Sequence, residues 1–320
     1  MSNHFIPPVV RTVILPRLAQ AVMVALLVGV LTFILVRSLP GDMAYRIAAG
    51  RYGYDMVDTA AADAVRRELG LEQPALTALG SWLWDILRLD FGNSLISGAP
   101  VIKEIVHQFG ATVELSLAAV LLSLLIGPPL GVLAGLRPGG WLDRVLLVVS
   151  SGLRSLPAFV LGLLLIILLA REFGWFPAAG HGSASNLALP ALTLALGLAA
   201  VSARVARDAM LGVAQSPYYA FGRTKGLSER QVFARHGMRN VAVPIVTYLG
   251  VQFVYLIEGV VVVESLFAWP GIGHALVHAI FARDVPMIQG TALVMGLMFV
   301  VLNTGVDLAC RWLDPRVARA

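Results

Sequence analysis

The sequence predicts an all-α polytopic membrane protein of six transmembrane helices, with a helical subdomain inserted between the first helix and the second. Three observations predict it. Of 320 residues, 58% are hydrophobic and only 13% are charged, against about 25% charged in a soluble domain, and the mean hydropathy is +0.80. Six apolar runs approach the roughly 20 residues that a helix needs to cross the hydrocarbon. Arginine, finally, is gathered in alternate connections, the asymmetry that sets membrane orientation.

Residues 1–37 place Arg11 and Arg17 ahead of the first span, Leu18–Val36. A cleaved signal would have a shorter apolar core and an A-x-A-like site, whereas RSLPGDMAYR follows here, so the run stays as a span with a cytoplasmic N-terminus. Residues 38–110 form an acidic insertion expected on the opposite, external side. Within it Thr59–Leu69 has helical character closed by Gly70, a C-cap glycine, and Trp82 and Trp84 in SWLWDILRLDFG suit a membrane interface.

Residues 111–320 carry the other five spans: Ala111–Leu136, Val145–Ala170, about Leu187–Val205, about Val241–Val263 and Ile288–Cys310. An even number of spans returns Arg311, Arg316 and Arg319 to the cytoplasmic side. Arg137, Arg144 and a basic loop lie there too, while the short external loops offer only Arg171 and Arg283, with Arg37 at a span end. The net charge of +5 is therefore read as membrane topology, with the bilayer and not nucleic acid as partner. The single cysteine, Cys310, excludes an internal disulfide and a cysteine-based metal cluster; it reads as a packing residue.

The second span contains Gly127, Pro128, Pro129, Gly131 and Gly135, and the third contains Pro157, which removes a backbone hydrogen bond and bends a helix. Such helices suit a moving pathway, or ordinary close packing in lipid. Glu114, Glu264 and Asp307 lie near span ends and are expected to be wet. Arg154 and Glu258 lie deeper, where a charge must face a cavity, an interface or a partner; they are candidates for a translocation pathway or a subunit interface. His274 and His278 share one helix face, but two histidines are too few for a metal site, and packing is the preferred reading.

The longest polar interruption in the second half of the chain runs from Arg204 to Pro244 and holds the cytoplasmic loop of residues 207–242. It reads as a short amphipathic helix from Tyr218 to Lys225, a break at Gly226, and a second helix opening at Ser228 and running toward Asn240. Ser228 and Gln231 have the spacing of a capping box. A basic helix-glycine-helix element held between two spans fits a docking surface, or a solvated loop that is basic only because cytoplasmic loops are. The sequence has no G-x-x-x-x-G-K-[ST] phosphate loop, H-E-x-x-H or G-x-S-x-G pattern, so no catalytic residue is assigned. Energy for transport must then come from a partner that hydrolyses ATP, or from a gradient driving a secondary carrier. A carrier would need inverted repeats with paired intramembrane charges, and none is visible.

LPGD at 39–42, LGLEQP at 69–74, LDFGNSL at 89–95, KGLSERQVFARHGMRN at 225–240, ESLFAWPGIG at 264–273, RDVPMIQG at 283–290 and LDPRV at 313–317 together resemble the permease subunits of bacterial ABC importers. The similarity is to the peptide/nickel branch, and within it to the first of the two permeases. The resemblance implies a type I importer permease fold in the bacterial inner membrane. It also implies a second permease, two ABC ATPase subunits that bind ATP and Mg, and an extracytoplasmic solute-binding protein, with no cofactor in this chain. The implied cargo is short peptides, with nickel or a metal chelate as the alternative within the family. The family's cytoplasmic loop carries E-A-A-x-x-x-G, whose helix inserts into a groove on the ATPase. With Gly226 as the motif glycine, Ala220, Phe221 and Gly222 take the leading positions, so the acidic residue is absent. The resemblance thus assigns ATPase coupling to Ala220, Phe221, Gly222, Arg223, Thr224, Lys225, Gly226 and Leu227, with Phe221 as the apolar plug. It implies an inward- and outward-opening pathway to which Arg154 and Glu258 are the candidate contributors.

Overall fold

Apolar side chains around a whole helix circumference mark a segment made for lipid. In the computed structural model, which describes residues 10–38, 41–53, 57–69, 74–88 and 90–313, the first such segment is α1 (Leu15–Ser38). It leaves Leu18, Val22, Leu26 and Leu31 half or more exposed. Three short helices follow, α2 (Met43–Tyr52), α3 (Thr59–Leu69) and α4 (Ala75–Leu87). The long α5 (Val101–Leu136) then leads to a bent pair, α6 (Trp141–Ser155) and α7 (Ala158–Leu165), the latter prolonged by π turns over Ile166–Glu172. After α8 (Ala184–Ala214) come the small α9 (Pro217–Thr224) and α10 (Glu229–Val232). The chain ends through α11 (Met238–Leu266), α12 (Ile272–Ala282) and α13 (Val285–Leu313). No strand occurs among the described residues, only an isolated bridge between Asn93 and Pro100.

Four helical stretches among the described residues are long and apolar enough to cross a membrane, 12–35, 101–136, 184–214 and 285–308, and the bent pair 141–155 and 158–172 has the length and composition for a fifth if it is one span. The helix α11 has 29 residues, about 43 Å at 1.5 Å per residue, over the apolar sequence 241–263. Its side chains at 249–251, 253–255 and 257–258, which include Glu258, lie outside the described residues. So do Gly70, Leu39 and Pro40 of LPGD, residues 70–73 of LGLEQP, and residues 314–317 of LDPRV.

The second span starts ten residues earlier than its apolar run, at Val101 rather than Ala111. The reason is packing: Val101 and Ile105 are buried in a core with Ile272, Ala275, Ala279, Met287 and Ile288, so the helix is held before it becomes fully apolar. That core belongs to one of two compact units, formed by Met1–Thr112 with Pro270–Val300; the other comprises Val113–Trp269 with Val301–Ala320. In the first unit a second small core joins α2 and α3 through Ala44, Ile47, Ala48, Ala62 and Val65. Polar side chains tie its sequence-distant segments together. Asp284, 3% exposed, accepts hydrogen bonds from the Ser94 hydroxyl, from the Leu95 amide at 3.1 Å and from the Met287 amide. Arg283, in the left-handed region at φ 55°, donates to the Gly41 carbonyl at 3.0 Å.

The second unit is organised around α8, which packs on α6, α7 and α11. Gly127, Gly131 and Gly135 press α5 onto the same helix. A Cβ on Gly131 would lie 2.1 Å from the Ala203 carbonyl oxygen, and one on Gly135 2.5 Å from that of Arg207. Only glycine permits this approach, the small-residue packing that lipid favours. It also accounts for Pro128 and Pro129, which sit inside an unbroken α5: contact with α8 supports the helix across the missing hydrogen bonds. Pro157 behaves differently. Leu156 before it is extended at φ −90° and ψ 127°, the conformation that proline favours in its predecessor, and α6 and α7 meet at 107°.

One expectation is overturned in this unit. Glu264 is not wet at a span end but 0% exposed. The chain turns sharply after α11, with Ala268 at φ 49° and the Trp269 amide donating to the Glu264 carbonyl at 2.9 Å. The turn buries Phe267 and Trp269 and brings the Trp269 ring edge-on to His181.

Candidate functional site

The polar loop folds as two short helices joined by a tight turn. Pro217 at the first position and Ser216 at the N-cap start α9, as proline's fixed φ allows where no amide partner is needed. The helix ends through amide-to-carbonyl bonds from Lys225 to Phe221 and from Gly226 to Arg223, followed by Leu227 to Gly222. Gly226 has φ 78°, a left-handed conformation that costs glycine nothing. Ser228 then opens α10 with a complete capping box: its hydroxyl accepts from the Gln231 amide at 3.4 Å, and the Gln231 side chain accepts from the Ser228 amide at 3.0 Å. The second helix runs on without a break through a π turn, Phe233–Gly237, into α11, so the loop and the following span are one continuous rod.

One face of α9 is locked inward. Tyr219 is 0% exposed, in a core with Met210, Val213, Val232 and Val241, with Leu227 and Phe233 against it. Gly222, one turn on, lies against Val232; a Cβ there would come within 3.1 Å of both Val232 methyls. Glu229 binds both helices: it accepts from the Tyr219 hydroxyl at 3.2 Å and pairs with Arg223 at 2.6 Å. Burial is the main cause, and Glu229 a lesser one, that raises the Tyr219 phenol above its ordinary value. The acid that the E-A-A motif lacks at Ala220 thus has a counterpart nine residues on, turned to an internal role.

The outward face carries what remains. Tyr218 is 44% and Phe221 59% exposed, and the Lys225 ammonium lies 4.6 Å from the Phe221 ring centroid. Ala220, Arg223 and Thr224 are also exposed. Of the eight residues assigned to coupling from the sequence, five thus face outward; Gly222 and Leu227 face inward, and Gly226 makes the turn. An ion pair that sequence reasoning missed lies nearby. Asp143, 2% exposed, receives Arg207 in two parallel contacts of 2.8 and 2.9 Å and the Gly139 amide at 2.8 Å. Nothing in the spacing of residues 143 and 207 signals it; it clamps the start of α6 to the end of α8.

A cavity of about 430 Å³ lies at the bend between α6 and α7, against α8 and α11, with Arg154, Pro157, Thr193, Gln252 and Leu256 in its lining. Arg154 thus lies beside a cavity; the Glu258 side chain lies outside the described residues. In the other unit His274 and His278 pack edge to face, 4.4 Å between ring centroids. Burial and the neighbouring His278 lower the His274 imidazole below its usual value. Among the described residues no group of three or more histidine, cysteine, aspartate or glutamate side chains could hold a metal ion.

Residues 127–319 match the family described as Binding-protein-dependent transport system inner membrane component. A Brucella abortus (strain 2308) protein, named as a permease of a peptide transport system, is 39% identical over 312 residues, which cover 95% of this chain and 98% of that protein. The chain belongs to this family of permeases. The permease is also 37% identical to the glutathione transport system permease of Pectobacterium atrosepticum over 99% of each chain. The inward-facing methionine ABC transporter MetNI superposes with a TM-score of 0.55 at 20% identity, over 67% of this chain and 97% of that one. The fold is that of a type I ABC importer permease, and the resemblance to peptide/nickel-branch permeases holds over nearly the whole chain.

Proposed function

We propose that this permease forms, with a second permease, the membrane passage of an ATP-driven importer for short peptides. Two ABC ATPase subunits on the cytoplasmic side bind ATP and Mg, and an extracytoplasmic binding protein delivers the cargo. Both termini lie in the cytoplasm of the bacterial cell. The arginine asymmetry supports this orientation, and relatives named for peptide and glutathione transport favour a peptide over nickel or a metal chelate.

The observation that carries the reading is Phe221, an aromatic side chain 59% exposed on a helix whose opposite face is fixed by a buried tyrosine. Tyr218, three residues before it, is exposed as well, so the two aromatic rings share one helix face, and neighbouring exposed apolar groups suit a partner surface. The α9 helix is the handle: its outward residues, Ala220, Phe221, Arg223, Thr224 and Lys225, enter an ATPase groove. Its inward residues, Tyr219, Gly222 and Leu227, pass the movement to α8 and α11 through their shared core. Arg154 and Glu258 contribute to the passage. The permease itself makes no bond; ATP and loaded binding protein bias two packings by binding one better.

The test is a pull-down of the tagged permease from native membranes in mild detergent, with an ATPase assay on the product. A second permease and ATPase chains should co-purify, and the activity should rise when the binding protein is added. A permease that purifies alone and inert from well-preserved membranes refutes the assignment.

A further inference from the structure

The start of α6 turns outward a group of side chains that neither the coupling helix nor the interior uses. Its inner face is settled: Asp143 and Leu146 are buried against Arg207 and Ala203 of α8. Its outer face carries Trp141, 77% exposed, then Arg144, Val145 and Val148, all exposed. These positions lie three, four and seven residues beyond the tryptophan, which a helix brings to one side. Arg137, also exposed, joins them. The Gly140 amide donates to its carbonyl at 3.2 Å, so the chain between α5 and α6 is one tight turn and both arginines stay within a few residues of Trp141.

The charge of these two arginines is not answered within the fold. Asp143 receives Arg207 and the Gly139 amide, and Asp208 receives Arg207 as well; among the described residues no acid pairs with Arg137 or Arg144. The bond from Asp143 to Arg207, on the last turns of α8 shortly before α9 begins at Pro217, also fixes which end of the helices this is: the end that carries α9. There a span meets the lipid headgroups. Indole rings collect at that depth, with the ring toward the chains and the N–H able to donate, and a guanidinium presents a fork that fits a phosphate. Val148 lies about 6 Å further along the axis than Arg144, at 1.5 Å per residue, a step from headgroup toward hydrocarbon.

We propose that Arg137, Trp141 and Arg144 hold the phosphate headgroup of an anionic phospholipid in the leaflet on the side of α9, with its chains along Val145 and Val148. Charge complementarity names this occupant. Two uncompensated cations favour a headgroup with net negative charge over a zwitterionic one, whose ammonium cancels the attraction. A small free anion would have no use for the indole and the valines, and a protein chain would have to bring acids into the headgroup layer to match both arginines. The site goes beyond the transport reading and does not depend on the cargo.

The experiment uses the permease purified with its partners and returned to phosphatidylcholine vesicles that carry a trace of photoreactive lipid. Phosphatidylglycerol and phosphatidylcholine with the same diazirine-bearing chains are compared, and the labelled residues are mapped by peptide mass spectrometry. In wild type the anionic lipid should label residues 137–149 about tenfold more than the zwitterionic one. R137Q/R144Q should bring that ratio close to one, whereas R171Q, which removes an exposed arginine elsewhere, should leave it unchanged. Equal labelling by the two lipids in wild type overturns the proposal, as does a preference that survives R137Q/R144Q. The wild-type ratio needs no variant, so a double variant that failed to fold would not shield the proposal. Inorganic phosphate at matched ionic strength should not reduce the labelling; if it does, the arginines hold a free anion and the lipid assignment falls. Benzoylphenylalanine in place of Trp141 should crosslink to lipid, and crosslinks to another polypeptide of the complex would show the face covered by a subunit and overturn the proposal too.

Discussion

Two places interrupt the long helices of this permease, and they are built in opposite ways. Around α9 every local device agrees: a proline start, a left-handed glycine, a capping box, a buried tyrosine and an ion pair all fix the same shape. At the bend between α6 and α7 a single proline does the work, and the helices that surround it close on a cavity instead of filling it. The first interruption is rigid with a bare outer face, which suits an element that is pushed. The second is hollow, held by one proline rather than by several agreeing devices.

The comparison can be broken most forcefully at Tyr219. Tyr219→Ala removes a fully buried aromatic side chain and should cost about 3–5 kcal/mol, seen as a large fall in thermal stability in detergent together with loss of coupled transport. A stable variant with intact α9 would mean that the helix does not depend on its inner face. Asp143→Asn weakens the clamp on Arg207 next door and should cost about 3 kcal/mol, at the low end for a broken buried pair because the amide keeps one acceptor; thermal unfolding checks it. Glu229→Gln loosens the tie between α9 and α10, and with both partners about half exposed the expected loss is only about 0.5 kcal/mol.

Smallest in stability and largest in meaning is Phe221→Asp. The side chain is exposed, so unfolding should shift by no more than about 0.5 kcal/mol, yet transport and binding-protein-stimulated ATP hydrolysis should disappear. Normal transport by that variant would remove the docking face from the picture. A pH titration sharpens the same contrast. The Tyr219 phenol is raised above its ordinary 10.0 in the folded protein, so the native state holds its proton longer than the unfolded chain. Stability should fall as pH climbs past about 10, and Tyr219→Phe should flatten that part of the curve, as followed by thermal unfolding at stepped pH.

Legibility in the sequence followed the range of the physics. The limits of α3, the capping box at Ser228 and the turn at Gly226 were readable because each depends on residues within one helical turn. The bend at Pro157 was readable as a break, but its 107° angle was not. Pro128 and Pro129 look like stronger breakers and break nothing, because contact with α8 supports α5 there. Glu264 misled as well: its position in the sequence is a span end, and only the fold makes that position an interior one. The Asp143–Arg207 clamp and the meeting of Asp284 with Ser94 join residues 64 and 190 positions apart, for which no local pattern exists.

Composition and hydropathy determined by themselves that this is a polytopic helical membrane protein, since the free energy of placing apolar side chains in lipid is summed residue by residue. Local spacing determined that the basic loop is a helix, a glycine turn and a second helix. Which face of α9 is buried, and therefore that Phe221 rather than Tyr219 is presented outward, was decided by tertiary packing against α8 and α11. So was the company of Arg154. A charge in a span must face something, but whether that is water, a partner or a cavity depends on helices that are distant in the chain and adjacent only in the fold.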